Sequence, residues 1–499
     1  VPLNIPVSSA AMKDVTDKYM AVEMAKCGGI GVVHRSFEPE RQAEEVSYVK
    51  NYMHALIKYT QTYQQNKPVK EVLEDYEQSD MRFTSFPIVD GSTGKLVGLV
   101  TRDELIKYNK SLNDPEAKLS DIMKKDVVTL PEGSDVEAAY NVIMDEKVSC
   151  VPVVDEENKL KGLYTYEDVM RIWEREHAIY NVDNNNKLRC AAAIKSVYDP
   201  VKKHDSSRNR EHIGTSMDEE EMSRIEKLIK AGADALVLDT SHGNSPVQVD
   251  TVKWIKDELL PSIRGETKYS NASIDVVVGN VATPVLVEDF IEAGADGIKV
   301  GIGPGSICTT REQTGVGVGQ VTAAYSVIQA VKGRLPVIVD GGVAHPGYAV
   351  KAGAIGGSCV MVGGKLSGTD ESPGQEVLID GVIHKVYRGE ASASSLRENK
   401  GSAQRYFAED QPPEVTGAKF DVYLPVAPQG VESYTPMKGP VAAVLNDFCT
   451  AMQSGLAHVG AENVMQLREK AYIIENRPGA AKEGDISVKT IAEEGPYKR

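Results

Sequence analysis

The sequence predicts an α/β chain: a (β/α)8 barrel with a second domain inserted between its second and third strands. Three observations carry that expectation. The stretches 230-KAGADALVLD, 292-EAGADGIKVG and 351-KAGAIGGSCVMVGG each read as a helix end, a Gly turn and a short apolar strand, and their Ala-Gly pairs, at 231, 293 and 352, are 62 and 59 residues apart. A further strand lies inside each interval, 274-IDVVVGN and 335-PVIVDGG, so two βα units of about 30 residues fill each one. With 187-KLRCAAAI, 4-NIPVSS and 30-IGVV the count reaches eight short apolar strands, each followed by helix-like sequence. Third, residues 65–175 carry a repeat of their own: 86-FPIVDGSTGKLVGLVTRDEL resembles 151-VPVVDEENKLKGLYTYEDV, with Pro87 and Pro152 65 apart and Thr101 and Thr165 64 apart. The competing architecture is a doubly wound open sheet. The count of eight, and the lack of a G-x-G-x-x-G opening a helix, favour the barrel.

Composition narrows the function classes. Of 499 residues 41% are hydrophobic and 26% charged, ordinary usage that excludes a wholly disordered or collagen-like chain. Against 56 Lys and Arg stand 72 Asp and Glu, a net charge of −16, which repels a phosphate backbone and disfavours nucleic acid as a partner. A local anion site stays open, because backbone amides hold phosphate without basic residues. No apolar run approaches the roughly 18 residues of a membrane span. No signal peptide pattern opens the sequence, so the expected setting is reducing and cytoplasmic. The six cysteines, Cys27, Cys150, Cys190, Cys308, Cys359 and Cys449, form no C-x-x-C pair. That argues against a disulfide scaffold or a zinc ribbon. Most are expected to be buried small hydrophobes.

Each half of the insert reads as strand, turn, strand, and a helix capped near Thr or Asp. The pattern resembles a tandem CBS (Bateman) module. The resemblance implies that Gly162, Thr165 and Asp168, matching its G-x-x-T-x-x-D ribose pattern, hold a purine nucleotide; the first half carries Glu104 where Asp is expected. An insert that binds nothing and only spaces subunits is the alternative. Residues 196–216, with KKHDSSRNR, read as a solvated loop before a helix starting near Met217. Residues 389–440, rich in Gly and Pro, read as a mobile lid. The polar tail 476–499 is expected to wrap a neighbouring subunit or to lack order.

The residues that carry chemistry gather at strand ends. The run 300-VGIGPGSICTTREQTGVGVGQ follows strand six and so lies on the catalytic face of a barrel. Gly301, Gly303 and Gly305 permit tight turns, and Cys308 in their midst could ionise and attack; a structural loop with an incidental thiol is the alternative. Strands seven and eight end in Asp340-Gly341-Gly342 and Gly363-Gly364, where barrels commonly bind phosphate. Ser306 adds a hydroxyl, and Asp340, repelled by phosphate, suits ribose hydroxyls. The ligand is then a nucleotide or sugar phosphate, unless the Gly pairs merely end strands. Asp239, in 236-LVLDTSHGNS, and Asn280 enter the same mouth and could take a second ribose or an amide; a helix cap is the other reading of Asp239. His242 reads as a solvated loop histidine.

These motifs together resemble the IMP dehydrogenase / GMP reductase family over nearly the full length. GIGPGSICTTREQTGVG matches the family's signature loop, and LDTSHGNS, GNVAT, VDGGV, TDESPG and YRG stand in family order. Three features favour the dehydrogenase branch: Arg405-Tyr406-Phe407, similar to the R-Y-F of its mobile flap; the stretch 372-SPG; and Gln429-Gly430-Val431 at the flap's far end. Departures from the pattern are Glu390-Ala391-Ser392 in place of Met-Gly-Ser or Met-Ser-Ser, Lys13-Asp14 in place of Asp-Thr, and Gly319 in place of Pro.

The resemblance implies a reaction, IMP to XMP with NAD, in guanine nucleotide synthesis. Cys308 thiolate adds to C2 of the base, hydride passes to the nicotinamide, and water activated by Arg405 and Tyr406 releases XMP. An arginine pKa above about 12 makes it an unusual base, and Thr310 with Gln429 offers another proton route. The resemblance also implies an IMP site made of Met12, Ser306, Asp340, Gly341 and Gly342, with Gly363, Gly364, Tyr387, Gly389 and Glu390. It assigns NAD to Asp239, Ser241, Asn280, Gly301 and Gly303. It assigns a monovalent cation, K+, to the carbonyls of Gly303, Gly305 and Cys308, completed by Glu483-Gly484 of a neighbouring subunit's tail. A homotetramer or octamer is the implied assembly. The rivals are GMP reductase, using NADPH, and a non-catalytic nucleotide-sensing scaffold.

Overall fold

A computed structural model describes residues 1–52, 56–57, 61–78, 85–111, 117–173, 179–199, 216–398 and 427–475. Eight short strands form one parallel sheet: β1 Val7–Ser9, β2 Gly31–Val33, β3 Cys190–Ile194, β4 Ala235–Leu238, β5 Asp275–Val281, β6 Gly297–Val300, β7 Val337–Asp340 and β8 Cys359–Val362. Their order is β1-β8-β7-β6-β5-β4-β3-β2. The ring closes where Ser8 bridges Ile30 and Ser9 N donates to Ile30 O at 3.1 Å. The barrel is therefore the observed fold, and the open sheet is excluded.

These strands are buried on both faces, which is why they read as unbroken apolar runs rather than alternating ones; all five residues of β3, CAAAI, are buried. The barrel interior packs small and branched side chains, including Ala191, Ala193, Ile30, Val32, Val237 and Val277. Two of the three Ala-Gly pairs mark helix ends as expected: Gly232 and Gly294 take φ of 91° and 86°, a left-handed cap that suits glycine. The third does not. Gly353 lies inside the helix Pro346–Ala354, and a side-chain carbon there would sit 3.3 Å from Leu467 and Val464, so it allows close helix packing; Gly356, with φ 110°, makes the turn.

The chain leaves the barrel after the helix Pro39–Asn51 and returns at Ile179. Lys50, 4% exposed, ties departure to return: its ammonium is 2.9 Å from Asp183 and 2.7 Å from Asp234. Asp234 also accepts from Cys190 N at the start of β3, at 2.8 Å.

Residues 52–178 form a separate compact unit. The strand Leu56–Ile57 pairs with Leu160–Thr165, so this unit starts earlier than the expected 65. Its two halves have matching hairpins: Pro87 pairs with Leu99 as Pro152 pairs with Leu163, and each hairpin shifts register just before its end. Each half buries its own core, one around Phe86, Ile88 and Leu119, the other around Val151, Val153 and Tyr164.

Two expectations for the flanks need correction. Within the expected lid, 389–440, β11 Glu432–Pro436 is ordered: it pairs antiparallel with β10 Val382–Arg388, Arg388 opposite Glu432, and β10 pairs with β9 Glu376–Ile379, both of which precede the lid. Part of the expected solvated loop is a short ladder, Tyr198–Asp199 with Ser216–Met217, and the helix that follows spans Glu219–Ala231, capped by Asp218. Residues 200–215, 399–426 and 476–499 lie outside the described residues. Among the described residues no helix is long and apolar enough to cross a membrane.

Candidate active site

The carboxyl ends of the barrel strands open into a cleft. Loop 301–309 leaves β6 there and runs into the helix Thr310–Thr314. Gly301 has φ 147°, and a side-chain carbon on it would sit 2.1 Å from the Asp340 carbonyl oxygen. Gly303 has φ 79°, with Arg311 folded against it. Gly305 is different: its φ is not positive, and a carbon there would meet Cys308 Cβ at 3.4 Å, an ordinary contact. A tight turn does begin here, Cys308 N donating to Gly305 O at 3.1 Å, but its backbone does not itself require glycine.

Cys308 is half-buried at the mouth. Its Sγ lies 3.2 Å from Thr310 Oγ1. The segment 429–431 is pinned alongside: Thr309 N donates to Gln429 O at 2.8 Å and Val431 N to Ile307 O at 2.9 Å. Elsewhere burial pushes thiols up, Cys27 to about 11 and Cys359 to about 12, so these stay protonated.

The cleft gathers most of the residues expected at the site. Asp239, Ser241, Asn280, Gly301 and Gly303 line one part, with Gly305, Cys308 and Thr310 at the centre. Met12, Asp340, Gly341, Tyr387, Gly389, Glu390 and Gln429 line the rest. His242 is exposed.

At the heart of the site is a residue that the sequence reading missed. Lys299, on β6, is 1% exposed, and its ammonium lies 2.8 Å from Asp239 Oδ1 and 2.8 Å from Asp340 Oδ2, and donates also to Asn280 Oδ1. Asn280 Nδ2 donates to Asp340 Oδ2 and to Gly301 O, both at 2.7 Å. One buried cation thus orients all three polar groups at the ends of β4, β5 and β7. The available signal was a single charge within the apolar run 297-GIKV.

The expected phosphate cradle lies beside the cleft, with Tyr387 between them. Side-chain carbons at Gly363 and Gly364 would fall 3.2 Å from Tyr387 Oη and 2.9 Å from Ser306 Oγ, so a side chain at either would press on these hydroxyls. Gly341 and Gly342, with φ of 83° and 74°, turn back over Pro304. Burial pushes the Tyr387 phenol up to about 12, against a lowering hydrogen bond with Ser306. It therefore stays a neutral donor beside the Ser306 hydroxyl.

The departures at 13 and 390 meet one another, and the departure at 14 meets Arg388. Lys13 N donates to Glu390 Oε1 at 3.0 Å. Asp14 accepts from Arg388 Nε at 2.9 Å and from Nη2 at 3.0 Å, a bidentate pair that fixes the loop carrying Met12 against residues 387–391.

In the insert, Thr165 Oγ1 donates to Asp168 Oδ2 at 2.5 Å, and Asp168 N returns to Thr165 Oγ1 at 3.2 Å. Glu104 reproduces this in the first half, accepting from Thr101 N at 2.7 Å and from its hydroxyl at 2.8 Å. Both threonine–acid pairs therefore cap a helix start. Gly162 pairs with Val153 in the hairpin. Arg405, Tyr406, Glu483 and Gly484 lie outside the described residues. Among the described residues no group of three or more His, Cys, Asp or Glu is placed to hold a metal.

Comparison with known proteins agrees with this geometry. The family model described as IMP dehydrogenase / GMP reductase domain matches residues 1–486. The chain is 37% identical over 499 residues to inosine-5′-monophosphate dehydrogenase of Staphylococcus epidermidis, covering 99% of this chain and 91% of that protein. It is 36% identical to that of Methanocaldococcus jannaschii over 99% and 90% of the two chains. To that of Bacillus subtilis it is 35% identical over 99% and 91%. Among solved structures, GMP reductase from Trypanosoma brucei in complex with guanosine 5′-monophosphate superposes with a TM-score of 0.76 at 27% identity, covering 98% of this chain and 91% of that one.

Proposed function

We propose that this chain, which belongs to the IMP dehydrogenase / GMP reductase family, is a dehydrogenase that oxidises IMP to XMP with NAD through a covalent bond to Cys308. The observation that carries this reading is the Cys308 thiol at the barrel mouth, 3.2 Å from a hydroxyl and flanked by the Gln429 main chain. Relatives named as the dehydrogenase, similar over 99% of the chain, support the choice of branch.

The chemistry then follows from the side chains. Cys308, as thiolate, bonds to C2 of the hypoxanthine while N3 takes up a proton, and Thr310 Oγ1 stands within reach of the sulfur to relay it. NAD, when bound, supplies the hydride acceptor. Loss of hydride from C2, with release of the N3 proton, leaves a neutral thioimidate on Cys308; water adds across C2 and N3, and the adduct gives up a proton and expels the thiolate with XMP. Asp239, Asp340 and Asn280, held by Lys299, accept from or donate to ribose hydroxyls and the carboxamide. Ser306, Tyr387 and the amides of Gly363 and Gly364 take the 5′-phosphate. Arg405 and Tyr406 are assigned to water activation by resemblance. Backbone carbonyls at Gly303, Gly305 and Cys308 are hard neutral donors suited to K+, with Glu483 and Gly484 of another subunit completing the set in a homotetramer or octamer. The insert is read as a CBS pair for purine nucleotides, and the free thiol fits a reducing cytoplasm.

The structural likeness to a GMP reductase favours one second reading, NADPH-dependent deamination of GMP on the same thiolate. A paired spectrophotometric assay tests both. NADH formed from IMP and NAD, without NADPH consumption in the presence of GMP, is the expected result; the reverse would replace the proposal. No turnover in either direction would leave a nucleotide-binding scaffold.

A further inference from the structure

Nine residues beyond Gln429 the chain makes a second, unassigned attachment to the site. After β11 the backbone passes beneath the loop that follows β8. Lys438 Nζ donates to three carbonyl oxygens of that loop, Gly364 at 2.9 Å, Lys365 at 3.1 Å and Ser367 at 2.5 Å. Lys438 N donates to Gly368 O at 2.8 Å, and Asp370 N to Gly439 O at 3.0 Å. Ser367 Oγ and Thr435 Oγ1 are 3.2 Å apart. Gly368 must lack a side chain here, since its first carbon would sit 2.6 Å from Pro436 O.

Three carbonyls converging on one ammonium is a cation site filled from within. A planar peptide sets its N–H opposite its C=O. Drawing the Gly364 and Lys365 carbonyls to Lys438 therefore sets the planes of the peptides that carry the Lys365 and Leu366 amides, and Leu366 N in turn donates to Gly363 O at 2.9 Å, so the loop's shape around Gly363 and Gly364 is fixed. That loop begins with Gly363 and Gly364, which Ser306 and Tyr387 face. We propose that Lys438 is a positioning residue for the substrate's 5′-phosphate, holding the loop after β8 in its binding shape without touching the ligand. The inference rests on the phosphate assignment above. It makes 429–439 a strap: one end is pinned to the Cys308 loop through Gln429 and Val431, the other to the phosphate loop through Lys438.

The test compares IMP with inosine, the same base and ribose without phosphate. Calorimetric Kd values for both ligands are measured on the full chain and on Lys438→Met and Lys438→Arg. Lost positioning hydrogen bonds of this kind correspond to a change between about 5- and 100-fold. The expected result is that IMP binding weakens by that factor in Lys438→Met while inosine changes less than about twofold. Lys438→Arg, which keeps the donors and charge, should recover most of the loss. Equal weakening of both ligands, or an unchanged IMP-to-inosine ratio, overturns the proposal. Should Lys438→Met not fold, Lys438→Gln decides: its amide reaches at most part of the three carbonyls and carries no charge, so a phosphate-selective loss supports the proposal and none overturns it. Ser306→Ala and Gly364→Ala separate the two layers. If these also leave the ratio unmoved, the phosphate assignment itself fails; if they lower it and Lys438→Met does not, only the role of Lys438 fails.

Discussion

Replacing Lys299 with Met removes the one ammonium that Asp239, Asp340 and Asn280 share. The substitution keeps the stem and its packing and deletes the charge, leaving two carboxylates facing each other with no cation between them. Removing one partner of a buried ion pair costs about 3–5 kcal/mol. The Asp239 and Asp340 side chains are 8% and 18% exposed, so some water reaches them, and the lower figure, about 3 kcal/mol, is the better expectation. Because the insert is a separate unit, a whole-protein melt would mix two transitions. Urea unfolding followed through Trp254, buried in the barrel, in a Trp173→Phe background reports the barrel alone. Lys299→Met should lower barrel stability by about 3 kcal/mol, and adding Asp340→Asn should restore at least about 1 kcal/mol by removing one orphaned charge. A loss below about 1 kcal/mol, or additive losses in the double variant, would refute the picture of a buried, strongly coupled hub.

Other outcomes follow from the site. Cys308→Ala should bind IMP as the parent does and form no NADH; unchanged turnover would remove Cys308 from the chemistry. Arg405→Ala should give a burst of NADH followed by a steady state slower by about 10²–10⁴, read by rapid quench of NADH against XMP, and equal loss of both products would place Arg405 in binding or closure instead. Deleting 52–178 and joining Asn51 to Ile179 through a short flexible linker should preserve turnover while abolishing any response to added purine nucleotides; a folded but inactive barrel would show that the insert serves catalysis.

The barrel was legible because each of its strands is buried on both faces and announces itself as a short apolar run, as 190-CAAAI does. The cysteine loop was legible because glycines crowd where backbone must approach backbone, and Gly301 against Asp340 O bears this out. The antiparallel sheet β9-β10-β11 was not. Leu378, Val382 and Tyr434 there are 70%, 52% and 55% exposed, and the buried positions of β10 are Lys385 and Tyr387, so no apolar alternation marks it, and β11 pairs with a strand more than forty residues earlier. Gly353 was misread because a glycine that admits a neighbouring helix looks, in sequence, like one that ends its own. Lys299 stayed hidden since one charge in an apolar strand reveals nothing of the partners that three other strands bring to it. The contact between Glu390 and Lys13 joins positions 377 residues apart, beyond any local pattern.

Lys50 gives the molecule a defined load path. The chain departs for residues 52–178 directly after this lysine and comes back a few residues before Asp183, and both threads are moored to the same ammonium, itself moored through Asp234 to the first amide of β3. Tension arriving along either thread meets this mooring before it meets the hydrogen bonds joining β2 to β3. The barrel wall is thereby braced at the one place where its strand sequence is interrupted, by contacts that belong wholly to the barrel itself.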